Sequence, residues 1–134
     1  MTKTIMLIHG AWLNSKSWEN WKARYEAAGY SVVAPDWPYD EGEPADLRAH
    51  PRSPRDGRFI EIVGHYAHEI EKLSEAPILI GHSAGGVWVQ HLLDRGYGAA
   101  GVAIDPAPTP GVGLGPHAVV SALPVLGDPF SGGK

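Results

Sequence analysis

The apolar positions of this 134-residue chain fall into short solid runs separated by segments with helical spacing. Ile5 to Ile8 is wholly apolar and ends at His9-Gly10, as fits a strand buried on both faces in a parallel sheet. Ser31-Val32-Val33-Ala34, closed by Pro35, predicts a second strand. Pro77-Ile78-Leu79-Ile80 predicts a third, and Gly101-Val102-Ala103-Ile104 a fourth. Between the first two strands, Ser17 is placed to cap a helix running to about Ala28. Trp18, Trp21, Ala23 and Tyr25 give that helix apolar surface, and Gly29 stops it. Phe59, Ile62, Val63, Tyr66, Ala67, Ile70 and Leu73 form the stripe of an amphipathic helix. Residues 86–94 predict a further helix, broken by Gly96 and Gly98. Strand and helix therefore alternate, which argues a parallel α/β sheet with right-handed crossovers.

Two stretches lack such a pattern. Residues 35–56 are punctuated by prolines and charges and predict a long loop, of a length that in compact domains tends to be functional. Beyond Asp105 prolines and glycines dominate, with one apolar patch from Ala118 to Leu123. The organisation expected is a core over residues 1–110 and an irregular tail, or the start of a lid, over 111–134. No internal repeat is visible.

Composition narrows the class. Hydrophobic residues make up 43% and charged residues 19%, as in ordinary globular domains, and the length suits one small core. The net charge of −4 and the lack of a Lys/Arg cluster argue against nucleic acid or an anionic membrane surface as partner. Without cysteine there is no disulfide, thiolate metal site or cysteine nucleophile. The apolar run at Ile5–Ile8 is too short for a secretory core or a membrane span, so a cytoplasmic location is expected.

The chemistry is carried by the strand ends. Ligands of parallel α/β sheets bind beyond the carboxyl ends of the strands, and His9-Gly10, Asp36, Ser83 and Asp105 all lie there. Gly81-His82-Ser83-Ala84-Gly85 joins the third strand to its helix with the spacing of a nucleophile elbow, whose small residues let a serine hydroxyl stand above the sheet. The plain alternative is a structural serine in a glycine-rich turn. A serine nucleophile needs a base oriented by a carboxylate, and preorganised N–H donors for the oxyanion. The Ala84 N–H, at a helix start, is one such donor. The base is open among seven histidines, at 9, 50, 65, 68, 82, 91 and 117. His65 and His68 are spaced for a metal but lack a third ligand, so a solvated face is the simpler reading and no metal is assigned. His82 points away from its neighbour Ser83, and His91 lies two turns further on. His117 alone follows both Ser83 and Asp105, and the order Ser83, Asp105, His117 is that of a hydrolase triad. Against this, Asp105 could simply form the turn before Pro106, and His117 sits among prolines and glycines. For His9 the competing reading is a packed imidazole, and for Trp12 a core side chain.

Over residues 4–110 the chain resembles the amino-terminal half of an α/β-hydrolase. The residues that carry the likeness are His9-Gly10-Ala11-Trp12, the Gly29-Tyr30 to Ala34-Pro35-Asp36 turn, and Gly81-His82-Ser83-Ala84-Gly85-Gly86. Val102 to Pro108 is similar to the family's next strand and the approach to its lid. The resemblance implies an α/β three-layer sandwich with a mostly parallel sheet, a partial α/β-hydrolase fold beginning at the family's third strand. The family's last two strands, which carry its acid and its histidine, have no counterpart. The function implied is a serine hydrolase acting on a carboxylic ester or related acyl substrate through a Ser83 acyl-enzyme. Ala11 and Ala84 would supply oxyanion N–H groups, and His9, Gly10 and Trp12 would contact substrate. Asp105 and His117 stand as candidate acid and base, and no cofactor is expected. Loss of a triad member leaves a residual acceleration over water of about 10³–10⁴. Two alternatives stay open: a non-catalytic binding protein on the same fold, and a lyase or cofactor-free oxidase or peroxidase that reuses the elbow. A halide-displacing enzyme is disfavoured by Ser83 where a carboxylate is wanted, and a dinucleotide site by the absence of G-x-G-x-x-G. A sheet that ends at 101–104 leaves an open edge, which predicts homo-oligomers, aggregation or low stability.

Overall fold

The computed structural model describes residues 2–11, 13–38, 43, 45, 46, 58–109, 111–113 and 115–120. Strand β1 (Thr4–Ile8) leads through a 3-10 turn (Ser15–Trp18) into helix α1 (Glu19–Ala27) and strand β2 (Ser31–Val33). Helix α2 (Arg58–Glu71), strand β3 (Ile78–His82), helix α3 (Ala84–Asp94) and strand β4 (Ala100–Ile104) follow. The strands form one sheet in the order β2-β1-β3-β4, and each neighbouring pair is parallel. Helices flank the sheet on both faces, so the fold is the α/β three-layer arrangement expected. Register sets up the rim: Ile8 lies beside Gly81, and His82 beside Ile104. The ends of β1, β3 and β4 thereby come level, and the residues that follow them share one edge.

Alternation of side chains along each strand divides the core in two. Met6, Ile8 and Leu79 point to one face and pack with Ile62, Val63, Tyr66, Ala67 and Ile70 of α2 and with Trp88, Val89 and Leu92 of α3. Of the stripe read from the sequence, Ile62, Val63, Tyr66, Ala67 and Ile70 form the buried face of α2, and Leu73 packs against the same core just beyond the helix. Ile5, Leu7, Val32 and Ile80 point to the other face, where Trp18 is the buried aromatic partner. All five residues of β1 are buried, as its unbroken apolar run requires.

The first helix departs from expectation. Asn14, not Ser17, caps the segment, its side chain accepting from the Lys16 N–H. The Ser17 hydroxyl instead donates to the Asn14 carbonyl. A 3-10 turn intervenes, α1 begins at Glu19, and none of its residues is buried. Trp18 does the burying from the turn before the helix, while Trp21 is 45% exposed. A local i, i+3 spacing could not show this, because the turn rotates Trp18 out of phase with the helix that follows. At the elbow, β3 runs on to His82 and α3 starts at Ala84, so the turn between them is shorter than the glycines suggest.

Most of the long loop, over 39–42, 44 and 47–57, lies outside the described residues, as do 110, 114 and 121–134. Residues 116–120 are helical. Among the described residues, no helix is long and apolar enough to cross a membrane.

Candidate active site

Ser83 occupies the single residue between β3 and α3 and has φ 55° and ψ −121°, a region that costs a non-glycine residue energy. Its backbone is held from three directions. The Ser83 N–H donates to the Ile104 carbonyl at 3.0 Å, and the Ser83 carbonyl accepts from the Gly86 and Ala107 N–H groups, each at 3.0 Å. The flanking glycines allow the close approach. A Cβ on Gly81 would collide with the Gly85 carbonyl, and one on Gly85 with the carbonyls of Ile8 and His9. The elbow is therefore seated directly on the end of β1. The Ser83 side chain makes no capping bond to the helix below it, leaving the hydroxyl at the rim.

The loop after β1 adjoins this serine. A Cβ on Gly10 would lie 3.0 Å from Ser83 Cβ. The Ala11 N–H has no hydrogen-bond partner among the described residues. Ala84 is the first residue of α3, where a backbone N–H has no acceptor within the helix. The loop after β1 and the start of α3 thus both adjoin Ser83.

His9 is 1% exposed and wedged below this loop. Its Nε2 accepts from the Trp37 N–H at 3.2 Å, so the proton of the neutral ring sits on Nδ1, 2.9 Å from the Gly10 carbonyl. The ring stacks on the Trp37 indole with centroids 5.1 Å apart. Burial pushes the His9 pKa below 6.5. The Gly10 carbonyl and the Asp36 carboxylate, 3.8 Å from Nε2, pull upward without overcoming it. The Pro35–Trp37 segment is fastened in turn. Asp36 takes the Ser15 N–H on its side chain and the His65 Nε2–H on its carbonyl, and Tyr66 donates to the Pro35 carbonyl. Sequence reading set His65 on a solvated face, read Tyr66 only as part of the apolar helix stripe, and did not single out Trp37. Their roles arise from the β2 loop folding back over α2. The strand-end position of Asp36 was the available hint.

The other candidates are not joined to Ser83. Asp105, at φ 40°, follows β4 and is exposed, and His117 is exposed on the helical stretch 116–120. None of the histidine hydrogen bonds among the described residues reaches Ser83 or Asp105. Trp12 lies outside the described residues. A cleft of about 170 Å³ opens on the α1 side of the rim between His9, Gly10, His82 and Ile104 and the apolar side chains of Leu13, Trp18 and Trp21. Gly10 and His9 thus border a cavity, but Ser83 does not line it. No group of three or more His, Cys, Asp and Glu side chains among the described residues could hold a metal ion.

A sheet of this order with a strained serine at the strand-to-helix turn matches a known family. The model of the alpha/beta hydrolase family covers residues 5–132, and the chain belongs to that family. No curated protein sequence matches it. Among solved structures, the chain is similar to tomato methylketone synthase I complexed with 2-tridecanone, at 20% identity and a TM-score of 0.64. That match covers 96% of this chain and 49% of the other. It is also similar to the monoacylglycerol lipase of Paleococcus ferrophilus, at 28% identity and a TM-score of 0.60, over 96% of this chain and 48% of the lipase. An extracellular α/β-hydrolase from a Paenibacillus species, with homology to tobacco salicylic acid binding protein 2, matches at 22% identity and a TM-score of 0.61. There the cover is 79% of this chain and 42% of that one. The chain spans about half the length of these solved relatives.

Proposed function

We propose that the chain carries the nucleophile half of a serine hydrolase site for carboxylic esters or related acyl compounds. The observation behind this reading is the left-handed backbone of Ser83, fixed by three backbone hydrogen bonds between the end of β3 and the start of α3. Such strain persists only where surrounding structure enforces it, and it clusters at functional sites. Ser83 attacks the substrate carbonyl. The Ala11 and Ala84 N–H groups receive the negative charge that develops on the carbonyl oxygen, and loss of the alcohol leaves Ser83 acylated. Water then releases the acid. The proton from the Ser83 hydroxyl needs an acceptor. His117, oriented by Asp105, is the acceptor available on this chain if the 116–120 stretch folds over the rim. A histidine and acid from sequence beyond it would do the same.

The test is acetyl transfer from p-nitrophenyl acetate followed by intact-mass and peptide mapping. Acetylation at Ser83 that disappears in Ser83→Ala supports the reading, and acetylation elsewhere only would sink it. The second reading, a non-catalytic binder on this fold, is favoured by one observation: no histidine among the described residues hydrogen-bonds to Ser83. It predicts no Ser83 adduct in a folded sample. The lyase alternative has support only from the likeness to methylketone synthase, which at 20% identity extends to the fold alone.

A further inference from the structure

We propose that His9 is a positioning residue whose ring sets the plane of the Gly10–Ala11 peptide, so that the Ala11 N–H stands free beside Ser83 as an anion donor. The inference rests on the Ser83 reading for its purpose, but its geometry stands separately. The C=O and N–H of one trans peptide unit point in opposite directions, and none of the described peptides is cis. Whatever grips the Gly10 carbonyl therefore aims the Ala11 N–H. Two donors grip it: His9 Nδ1 at 2.9 Å and the Leu13 N–H at 3.4 Å. The N–H on the other side of that peptide has no partner among the described residues, and Gly10 abuts Ser83.

The ring cannot turn to release the carbonyl without losing its other contacts. Trp37 stacks on one face at an interplanar angle of 22° and donates its N–H to Nε2. That second bond also fixes the tautomer. A proton on Nε2 would set two N–H groups against each other, and only the Nδ1–H form satisfies both neighbours. The groups around the ring agree with a neutral imidazole. Asp36 is 3.8 Å from Nε2, but its carboxylate is already engaged by the Ser15 N–H. His65 holds the Asp36 carbonyl, and His82 lies across the cleft beside Gly10. Any buried imidazole needs partners for its nitrogens, so the informative feature is which acceptor Nδ1 takes: the carbonyl of the peptide that carries the Ala11 N–H.

Two substitutions separate the roles. His9→Phe keeps a ring of similar size and removes both hydrogen bonds. His9→Asn restores an amide N–H near the place of Nδ1. The first readout is the Ala11 amide resonance in the ¹H–¹⁵N spectrum. It is expected to move in His9→Phe and to return toward the wild-type position in His9→Asn. The second is the rate of Ser83 phosphonylation by a fluorophosphonate, measured on folded protein. It should fall about tenfold or more in His9→Phe, the scale of a misplaced oxyanion donor, and recover most of that in His9→Asn. An Ala11 resonance unmoved in folded His9→Phe would overturn the proposal. If His9→Phe does not fold, the wild-type imidazole ¹⁵N signals decide: a protonated Nδ1 with a bare Nε2 at neutral pH supports it, and the other tautomer or a charged ring overturns it. A wild-type Ser83 that never reacts would defeat the nucleophile reading, while the Ala11 and imidazole signals would still decide the role of His9.

Discussion

The two faces of the sheet differ sharply in how well they are closed. On the α2/α3 face eleven buried residues interlock, and Met6, Val63, Tyr66, Leu79 and Leu92 have no exposed surface. On the α1 face the buried cluster is five residues, and α1 contributes none of them. There Leu13 and Trp21 are 42% and 45% exposed, as is Val102, at 48%, on the edge strand β4. The site is split along the same line. Trp37 of the His9 brace packs on the closed half, and the elbow rests on the end of β1 while its backbone is also tied to the β4 end through Ile104 and Ala107. The groups offered as acid and base, Asp105 and His117, lie exposed after β4. On the proposed reading, the groups that would bind negative charge follow β1 and β3, and those that would move protons follow β4.

The largest effect is expected where the closed half is tightest. Gly85→Val would drive side-chain atoms into the Ile8 and His9 carbonyls, which as backbone cannot yield. Stability should fall by at least about 3 kcal/mol, a large part of what a domain of this size possesses. Chemical denaturation measures it, and a loss below about 1 kcal/mol would mean that the elbow is not packed on β1 as described.

A smaller effect is set by pH. Because burial holds the His9 pKa below its unfolded value of 6.5, the unfolded chain binds more protons in this range than the folded one. The His9 contribution to stability is then fully present above about pH 6.5 and is lost as the pH falls through the depressed folded value. The denaturation midpoint should drop on acidification through this window, and His9→Asn should flatten the drop. A midpoint equally pH-dependent in both proteins would place the titration at another group.

The smallest stability change is expected on the open half. Val102→Lys puts a charge on an edge strand that carries none from Ala99 to Ile104. It should alter stability by no more than about 0.5 kcal/mol. We propose that the uncharged β4 edge pairs with a second copy, and a lysine there should weaken such pairing, as charges on natural edge strands do. Sedimentation analysis of the two proteins tests this. A wild-type chain that stays monomeric with a cooperative melt would contradict the open-edge account and bring the two faces closer in kind than they appear here.

Much of this contrast was legible in the sequence, for different reasons on the two sides. Ile5–Ile8 and Ile78–Ile80 read as strands because residues buried on both faces leave no polar alternation. The α2 stripe read correctly because one face of a regular helix carries its whole signal. The elbow was legible through its glycines, which mark where backbones touch. The burial of Trp18 rather than Trp21 was not, because an irregular turn breaks the period on which such inference depends. The fastening of Pro35, Asp36 and Trp37 by Tyr66, His65 and His9 respectively joins segments about thirty residues apart, and local pattern holds no record of that pairing. His9 stands at a strand end on either reading, and local pattern does not show that its Nδ1 holds the Gly10 carbonyl.

The central claim is that Ser83 is a nucleophile poised by the closed half of the fold. Its most direct test is intact-mass labelling of the folded chain with a fluorophosphonate, compared with Ser83→Ala. The account predicts one adduct per chain, absent from the variant, slow if the base comes only from solvent and fast if His117 reaches Ser83. A folded wild type that stays unlabelled, or that labels equally in Ser83→Ala, would contradict it.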